Sequence, residues 1–112
     1  MKLSDVVAAC GFEAVWLPET EVEVTGGYTS DLLSDVMAHC PEGVILVSVQ
    51  NHKNTVAVST LVCAPAVLIV HGRPIPDDML ESAKQENVAI LRSPEDQYTV
   101  SCRLGKLFPP EG

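Results

Sequence analysis

Gly43-Val44-Ile45-Leu46-Val47-Ser48-Val49 is the stretch that decides the fold, because a nearly continuous apolar run predicts a strand buried on both faces. Residues 66–70 and 88–91 repeat this pattern, and the segments that follow the first two runs, about 55–63 and 77–86, are predicted helices. Strands that alternate with helices are joined by right-handed crossovers into a mainly parallel sheet. The sequence therefore predicts an α/β fold, a three-layer sandwich with helices on both faces of the sheet.

Five further elements are predicted outside this region: a helix at residues 4–11, strands at 13–17 and 21–24, a helix ending near 41, and a helix that begins at 94 and ends before 105. The strand at 21–24 alternates acidic residues with valine, which is typical of a half-exposed strand. Residues 25–30 are then a loop that leads into the second helix. Pro94 is predicted at the first position of the last helix, where proline is favoured.

Composition and charge exclude several classes of protein. Seven Lys and Arg residues against fifteen Asp and Glu residues give a formal net charge of −8, which repels nucleic acid and anionic lipid. The longest apolar stretch, residues 56–70, is shorter than the roughly 20 apolar residues that span a bilayer. The first residues lack the pattern of a signal peptide. We therefore expect a cytoplasmic protein that binds neither nucleic acid nor membrane.

The length and the hydropathy bear on assembly. A chain of 112 residues fits one domain. Its mean hydropathy of +0.20 is high for so short a chain, and small domains bury only a modest share of their surface. Part of the apolar surface is therefore expected to lie in a subunit interface.

The carboxyl ends of the predicted strands form one edge of the sheet, where open parallel sheets bind their ligands. The residues at these ends are the candidate ligand-binding residues: Thr25, Gly26, Gly27, Tyr28, Thr29, Ser30, Asn51, His52, Lys53, Asn54, His71, Arg73 and Arg92. They include three of the seven basic residues and two of the three histidines of an acidic chain. This pattern predicts a pocket for a phosphate or a nucleotide. The alternative is that these are ordinary polar loops with a capping hydroxyl at a helix start.

Residues 25–30 carry the most specific features of this candidate pocket. Gly26 and Gly27 let the backbone approach a ligand, and Thr29 and Ser30 stand at a predicted helix N-terminus, which favours anions. Tyr28 is a candidate to stack on a base. The chain contains neither G-x-G-x-x-G nor a P-loop. An autonomous ATP-hydrolysing or phosphoryl-transfer enzyme is therefore not expected.

Metal and cysteine chemistry have less support in the sequence. Asp31 and Asp35 have a spacing that suits either Mg²⁺ or the dipole of a helix start. The cysteines, at positions 10, 40, 63 and 102, form no C-x-x-C pair, which disfavours zinc and predicts buried structural thiols. We expect no metal and no cofactor.

Val24-Thr25-Gly26-Gly27-Tyr28-Thr29-Ser30-Asp31-Leu32-Leu33-Ser34-Asp35-Val36-Met37 resembles a DRTGG domain. The resemblance extends over residues 1–107, including Gln50-Asn51-His52 and Val70-His71-Gly72-Arg73, and leaves residues 108–112 as a tail. The chain is similar in particular to the short stand-alone DRTGG proteins, which are often encoded beside iron-hydrogenase genes. It also resembles the DRTGG domain of CBS-containing pyrophosphatases, and the N-terminal domain of HPr kinase has a related fold.

This resemblance implies a three-layer α/β fold, a homodimer and a regulatory rather than catalytic role. In CBS-containing pyrophosphatases a tyrosine of the DRTGG domain contributes to an adenine-nucleotide site at a dimer interface. The chain departs from the family motif at Glu23-Val24, where Asp-Arg would precede Thr-Gly-Gly, and it thereby lacks a bidentate arginine donor. The 112 residues also contain no CBS domain.

Two functions remain open at this point. The first is a non-catalytic regulatory module that binds an anionic metabolite or an adenine nucleotide at the strand carboxyl edge, as a homodimer. The second is a protein–protein adaptor for an iron-hydrogenase or another redox complex, which fits the high hydropathy and the acidity. A phosphotransfer enzyme that uses Asp31, Asp35 and Lys53 is a third and weaker interpretation, because the phosphate-binding loop of such enzymes is missing.

Overall fold

Apolar strands alternate with amphipathic helices along the chain, and a computed structural model, which describes residues 1–110, gives their bounds. In chain order the elements are α1 (Leu3–Cys10), β1 (Glu13–Trp16), β2 (Gly26–Thr29), α2 (Leu33–His39), β3 (Val44–Ser48), α3 (Lys53–Leu61), β4 (Ala66–Ile69), α4 (Asp77–Glu86), β5 (Ala89–Arg92) and α5 (Gln97–Leu107). The longest of these helices, α5, has 11 residues. None of the helices in this part of the chain has the length and apolarity needed to cross a membrane.

The strands form one sheet in the order β1-β5-β4-β3-β2. Strands β2 to β5 are parallel to their neighbours, and β1 pairs antiparallel with β5. Because consecutive parallel strands are also neighbours in the sheet, the loops that follow β2, β3, β4 and β5 succeed one another along a single edge. We call this the carboxyl edge.

Each face of the sheet has its own apolar core, which explains the uninterrupted apolar run of β3. Ile45 and Val47 pack with α1 and α5 on one face, whereas Val44 and Leu46 pack with α2, α3 and α4 on the other. Every residue of β3 is buried. A strand covered on both faces has no solvent side for polar residues to occupy. The predicted three-layer α/β sandwich is confirmed.

The strand predicted at residues 21–24 is wrong. This segment makes only one isolated bridge, between Glu23 and Lys2. Its backbone pairs instead with the start of the chain, since Leu3 N–H donates to the Val22 oxygen at 2.7 Å. The alternation of acid and valine therefore reflects one side facing the core and one facing solvent, without a place in the sheet.

The loop predicted at residues 25–30 is wrong for most of its length, because Gly26–Thr29 is the edge strand β2. Glycine is disfavoured in strands by propensity, but here tertiary packing overrides propensity. A Cβ atom at Gly27 would lie 2.9 Å from Leu104 Cδ1 of α5, so a side chain at this position would collide with the helix that covers β2. Thr29 and Ser30 consequently precede α2 without capping it, since α2 begins at Leu33 and has no side-chain cap.

The last helix differs from its prediction at both ends. It begins at Gln97 rather than Pro94, because the Asp96 carboxylate accepts a hydrogen bond from Thr99 N–H at 2.8 Å and caps the helix there. It continues through Gly105 to Leu107. Residues 111–112 of the predicted tail lie outside the described residues.

Candidate functional site

Asp31 fills the part of the carboxyl edge that lies between β2 and β3. Its Oδ1 atom accepts hydrogen bonds from Ser48 Oγ at 3.2 Å, Val49 N–H at 2.9 Å and Gln97 Nε2 at 2.7 Å. Gln50 Nε2 donates to the backbone oxygen of Asp31 at 3.1 Å. Converging backbone and side-chain donors are the usual means of holding an anion. The protein's own carboxylate therefore occupies the anion position beside β3.

The loops that follow β3 and β4 form the open part of the carboxyl edge. Asn51 is buried, and its Nδ2 donates to the Pro74 oxygen at 2.8 Å, which joins the two loops. Helix α3 starts next to this bond, with His52 as its N-cap and Lys53 as its first residue. No side chain caps α3, and its first turn contains no acidic residue. Helix α3 therefore supplies no carboxylate of its own to the positive end of its dipole.

Four basic side chains lie on these two loops: His52, Lys53, His71 and Arg73. All four are exposed, and within residues 1–110 none of them forms an ion pair. His71 adopts a left-handed backbone with φ of 60°, and its N–H donates to the Glu95 oxygen at 2.9 Å. A chain of net charge −8 thus presents four basic side chains at one edge of its sheet, two of them the cations Lys53 and Arg73. We call these four residues the basic group.

Arg92 was predicted to bind ligand together with the basic group. In the structure it is paired with another side chain of the same chain. Its Nε and Nη2 atoms donate to the two carboxylate oxygens of Glu13, each at 3.1 Å. This bidentate pair joins β5 to β1. The predicted ligand role of Arg92 would require this pair to open. Asn54, another predicted ligand residue, is exposed in the first turn of α3 beside the basic group.

Four of the other predicted ligand residues line a different site, a groove of about 650 Å³ along the open edge of β2. Thr25 and Gly26 lie at the opposite end of the strand from the carboxyl edge, level with Gly43 and Val44. The groove is closed on its other side by the C-terminal half of α5 and the residues after it. Its lining is Thr25, Gly26, Gly27, Thr29, Pro41, Val44, Ser101, Leu104, Gly105, Phe108, Pro109 and Pro110. The sequence suggested one pocket, and the structure separates it into two sites.

The hydroxyl groups at this groove already have partners. Thr25 Oγ1 donates to the Gly43 oxygen at 3.3 Å, and the Thr29 and Ser101 hydroxyl oxygens are 2.7 Å apart. Ser30, at the end of β2, bonds through its Oγ to Leu32. The lining is therefore largely apolar and carries no charge.

Tyr28 projects to the other face of β2, where its half-buried ring packs against the core formed with α2, α3 and α4. Its hydroxyl donates to Asp35 Oδ2 at 2.8 Å, and Asp35 Oδ1 lies 3.1 Å from His39 Nδ1. The hydrogen bond from Tyr28 lowers the pKa of Asp35 below its ordinary value and raises the pKa of Tyr28 above its own. Stacking of Tyr28 on a base stays a prediction, with the phenol oxygen held by Asp35.

The two aspartates considered for magnesium do not converge. Asp31 faces Ser48 and Gln97, whereas Asp35 faces Tyr28 and His39. Among residues 1–110 there is no group of three or more His, Cys, Asp or Glu side chains placed to hold a metal ion.

The cysteines divide into two pairs. Cys10 is buried and Cys40 half-buried, and burial raises the pKa of both thiols. Cys63 and Cys102 are exposed. The prediction of buried thiols is therefore wrong for these two, because Cys63 lies in the turn after α3 and Cys102 on the outer surface of α5.

Sequence reasoning missed the central role of Asp31 and its contact with Gln97. These residues are 66 positions apart, and no local pattern connects them. The only available signal was the position of Asp31 directly after the predicted ligand loop, and that suggested a metal instead.

Comparison with known proteins supports the fold. No protein-family model matches the sequence, and a search of curated proteins found no match. The structure is similar to the crystal structure of the CBS and DRTGG domains of the regulatory region of Clostridium perfringens pyrophosphatase, complexed with the activator diadenosine tetraphosphate. The TM-score is 0.69 at 14% sequence identity, over 91% of this chain and 45% of that one, so the chain spans less than half of that structure. The chain therefore has a DRTGG-like fold, as the resemblance of residues 24–37 implied.

Proposed function

We propose that this protein is a regulatory module that binds an anionic metabolite or an adenine nucleotide at the carboxyl edge, as a cytoplasmic homodimer without catalysis of its own. The observation that carries the proposal is the basic group at the uncapped start of α3. Four unpaired basic side chains and a free helix N-terminus in an acidic chain provide attraction for phosphate at one place.

The geometry of the two loops supports binding by a preformed site. The bond from Asn51 to Pro74 fixes the β3–α3 loop, which carries His52 and Lys53, against the β4–α4 loop, which carries His71 and Arg73. Loops that are held together before the ligand arrives lose less conformational entropy on binding. The similar pyrophosphatase region is regulatory and was crystallised with a dinucleotide activator, which supports a nucleotide as the class of ligand.

The engagement of the acidic side chains supports a role without catalysis. Asp31 accepts three hydrogen bonds at one oxygen, and Asp35 is held between Tyr28 and His39. A carboxylate already engaged in this way is a poor general base for a substrate hydroxyl. The phosphotransfer interpretation requires Asp31 and Asp35 to act on a substrate together with Lys53. Both carboxylates are already hydrogen-bonded within the protein, which disfavours that interpretation.

Exposed apolar residues near α2 and α3 support association. Leu32, Met37 and Leu61 are 64%, 53% and 72% exposed, and apolar side chains that together form an exposed patch mark a site of association. These two helices pack against each other at the β2 side of the sheet. A homodimer would cover this surface. The alternative function, an adaptor for an iron-hydrogenase or another redox complex, would use the same surface for a partner protein.

The test is a thermal-shift measurement with AMP, ADP, ATP, diadenosine tetraphosphate and inorganic phosphate, with and without Mg²⁺. A ligand at 100 times its Kd stabilises the folded state by about 2.7 kcal/mol, which raises the Tm of a domain of this size by several degrees. We expect the Lys53→Ala, Arg73→Ala double variant to weaken binding at least tenfold while it keeps the wild-type circular dichroism spectrum.

The matched control is the Lys84→Ala, Lys106→Ala double variant, which removes the same charge from exposed positions on α4 and α5. An equal loss of affinity in the control would show that only the net charge of the protein matters, which contradicts a site at the basic group. Unchanged affinity in the Lys53, Arg73 variant would also contradict a site at the basic group. A flat screen with all five compounds would favour the adaptor alternative.

A further inference from the structure

The two edges of the sheet are built differently, although β1 and β2 have four residues each. Strand β1 has an irregular register between Ala14 and Trp16, and its Glu13 is paired with Arg92. Bulges and charges are the usual means of preventing a sheet edge from pairing with another chain. The β1 edge is therefore protected.

Strand β2 has none of these protections. Its sequence, Gly26-Gly27-Tyr28-Thr29, contains no charge and no proline, and all four residues stay in regular register with β3. Ser30 N–H donates to the Val47 oxygen of β3 at 3.1 Å, and Val47 is in register with Thr29, so Tyr28 faces β3 as well, and Gly27 and Thr29, at the alternate positions, direct their backbone N–H and C=O groups to the open side. This is a template for one more strand.

The groove beside β2 gives the added strand a place for its side chains. It lies between β2 and the end of α5, and its volume of about 650 Å³ accommodates several small or medium side chains. Gly26 contributes no side chain to fill it. At Gly27 the place of a side chain is already taken by Leu104, whose Cδ1 would lie 2.9 Å from a Cβ atom, so this position adds no free space to the groove.

The chemistry of the groove selects the occupant. None of its twelve lining residues is charged, although 20% of the chain is charged. Its hydroxyl groups are partnered, so no side chain of the groove is free to replace the water around a charged ligand. Phe108, Pro109 and Pro110 offer apolar contact instead.

We propose that the β2 edge and its groove bind an extended, uncharged segment of a partner polypeptide, which adds to the sheet as a strand. The backbone of the segment bonds to Gly27 and Thr29, and its alternate small or apolar side chains enter the groove. This site is separate from the basic group and does not depend on a nucleotide.

The test is selection of nine-residue peptides from a displayed random library on the folded full-length chain. We expect enriched peptides to be uncharged, with apolar residues at alternate positions. The best peptide, synthesised and titrated, should slow amide hydrogen exchange at Gly27 and Thr29 at least tenfold. Thr29→Lys, which places a charge in the groove, should weaken its binding at least tenfold. Ala14→Lys at the β1 edge is the matched control and should leave binding unchanged.

Thr29→Pro is a second variant, which removes the outward N–H of Thr29 and should also abolish binding. Circular dichroism of each variant shows whether the fold is kept. The proposal is overturned if no peptide is enriched over a Thr29→Lys counter-target, or if the bound peptide protects amides away from β2. Concentration-dependent protection of Gly27 and Thr29 without peptide would overturn it too, by assigning the edge to a second copy.

Discussion

The absence of a side chain at Gly27 sets the distance at which Leu104 of α5 packs over β2. A Cβ atom at this glycine would lie 2.9 Å from Leu104 Cδ1 and 3.7 Å from Leu104 Cβ. Leu104 is 3% exposed, so its side chain has no solvent space into which to move. The packing of Leu104 against β2 therefore requires a residue without a side chain at position 27.

Gly27→Ala is expected to lower the free energy of unfolding by about 1–3 kcal/mol, because an added methyl group in a packed site displaces its neighbours. Gly26→Ala is the matched control. A Cβ atom there would lie 3.8 Å from Val44 Cγ1, an ordinary contact, and the free energy of unfolding should stay the same or rise by about 0.5 kcal/mol. Urea denaturation of both variants measures the difference, and equal effects would show that Gly27 is not specially constrained.

Asp31→Ala is expected to lower the free energy of unfolding by about 2–3 kcal/mol, because it leaves the Ser48, Val49 and Gln97 donors without their shared acceptor. Asp31→Asn keeps an oxygen at that position and should cost about 1 kcal/mol or less. Urea denaturation compares the two. If the asparagine variant is as unstable as the alanine variant, the negative charge rather than the acceptor position is what the network requires.

Asn51→Ala is expected to lower the free energy of unfolding by about 1 kcal/mol, since it removes the bond to the Pro74 oxygen. It should also weaken binding of any ligand found in the thermal-shift experiment, because the two loops that carry the basic group are no longer joined. Asn54→Ala, at an exposed position three residues along, is the control for stability. Unchanged ligand affinity in the Asn51 variant would show that the two loops are held together by other contacts.

The hydrogen bond between Tyr28 and Asp35 is expected to make stability depend on pH at both extremes. The pKa of Asp35 is lowered by this bond, so its contribution is present above the ordinary carboxyl range and is lost as the pH falls through the folded-state pKa, below about 4. The pKa of Tyr28 is raised by the same bond, so that contribution is lost as the pH rises through the folded-state value, above about 10.

Tyr28→Phe removes the shared hydrogen bond and isolates this effect. The difference in urea midpoint between the wild type and the phenylalanine variant should be constant near neutral pH and should shrink toward both limits. A difference that stays constant from acid to alkaline pH would contradict the coupling.

The central strands could be predicted from sequence because of a strict physical requirement. Burial on both faces demands apolar residues at every position, so β3, β4 and β5 stand out as uninterrupted runs. Strand β2 could not be found in this way. Its glycines disfavour a strand locally, and the packing of α5 that requires Gly27 is a contact between residues 77 positions apart in the chain.

The position of the carboxyl edge followed from the order of the strands. Whether the side chains at this edge are free or paired could not be predicted from the sequence. Lys53 and Arg92 look alike in the sequence, and only the structure shows that Arg92 is paired with Glu13, 79 positions away. Asp31 likewise appeared as a free acid beside a loop, whereas its oxygen is shared by three donors. Long-range pairing of this kind leaves no periodic trace in a single sequence.

The strand order also has a consequence for the order of folding. Each parallel pair joins residues about 20 positions apart, so β2 to β5 assemble by closing short loops. The pairing of β1 with β5 spans 79 positions and costs about 1 kcal/mol more in loop-closure entropy. We expect α1 and β1 to join last and to open first, as a cooperative unit that leaves the four parallel strands paired.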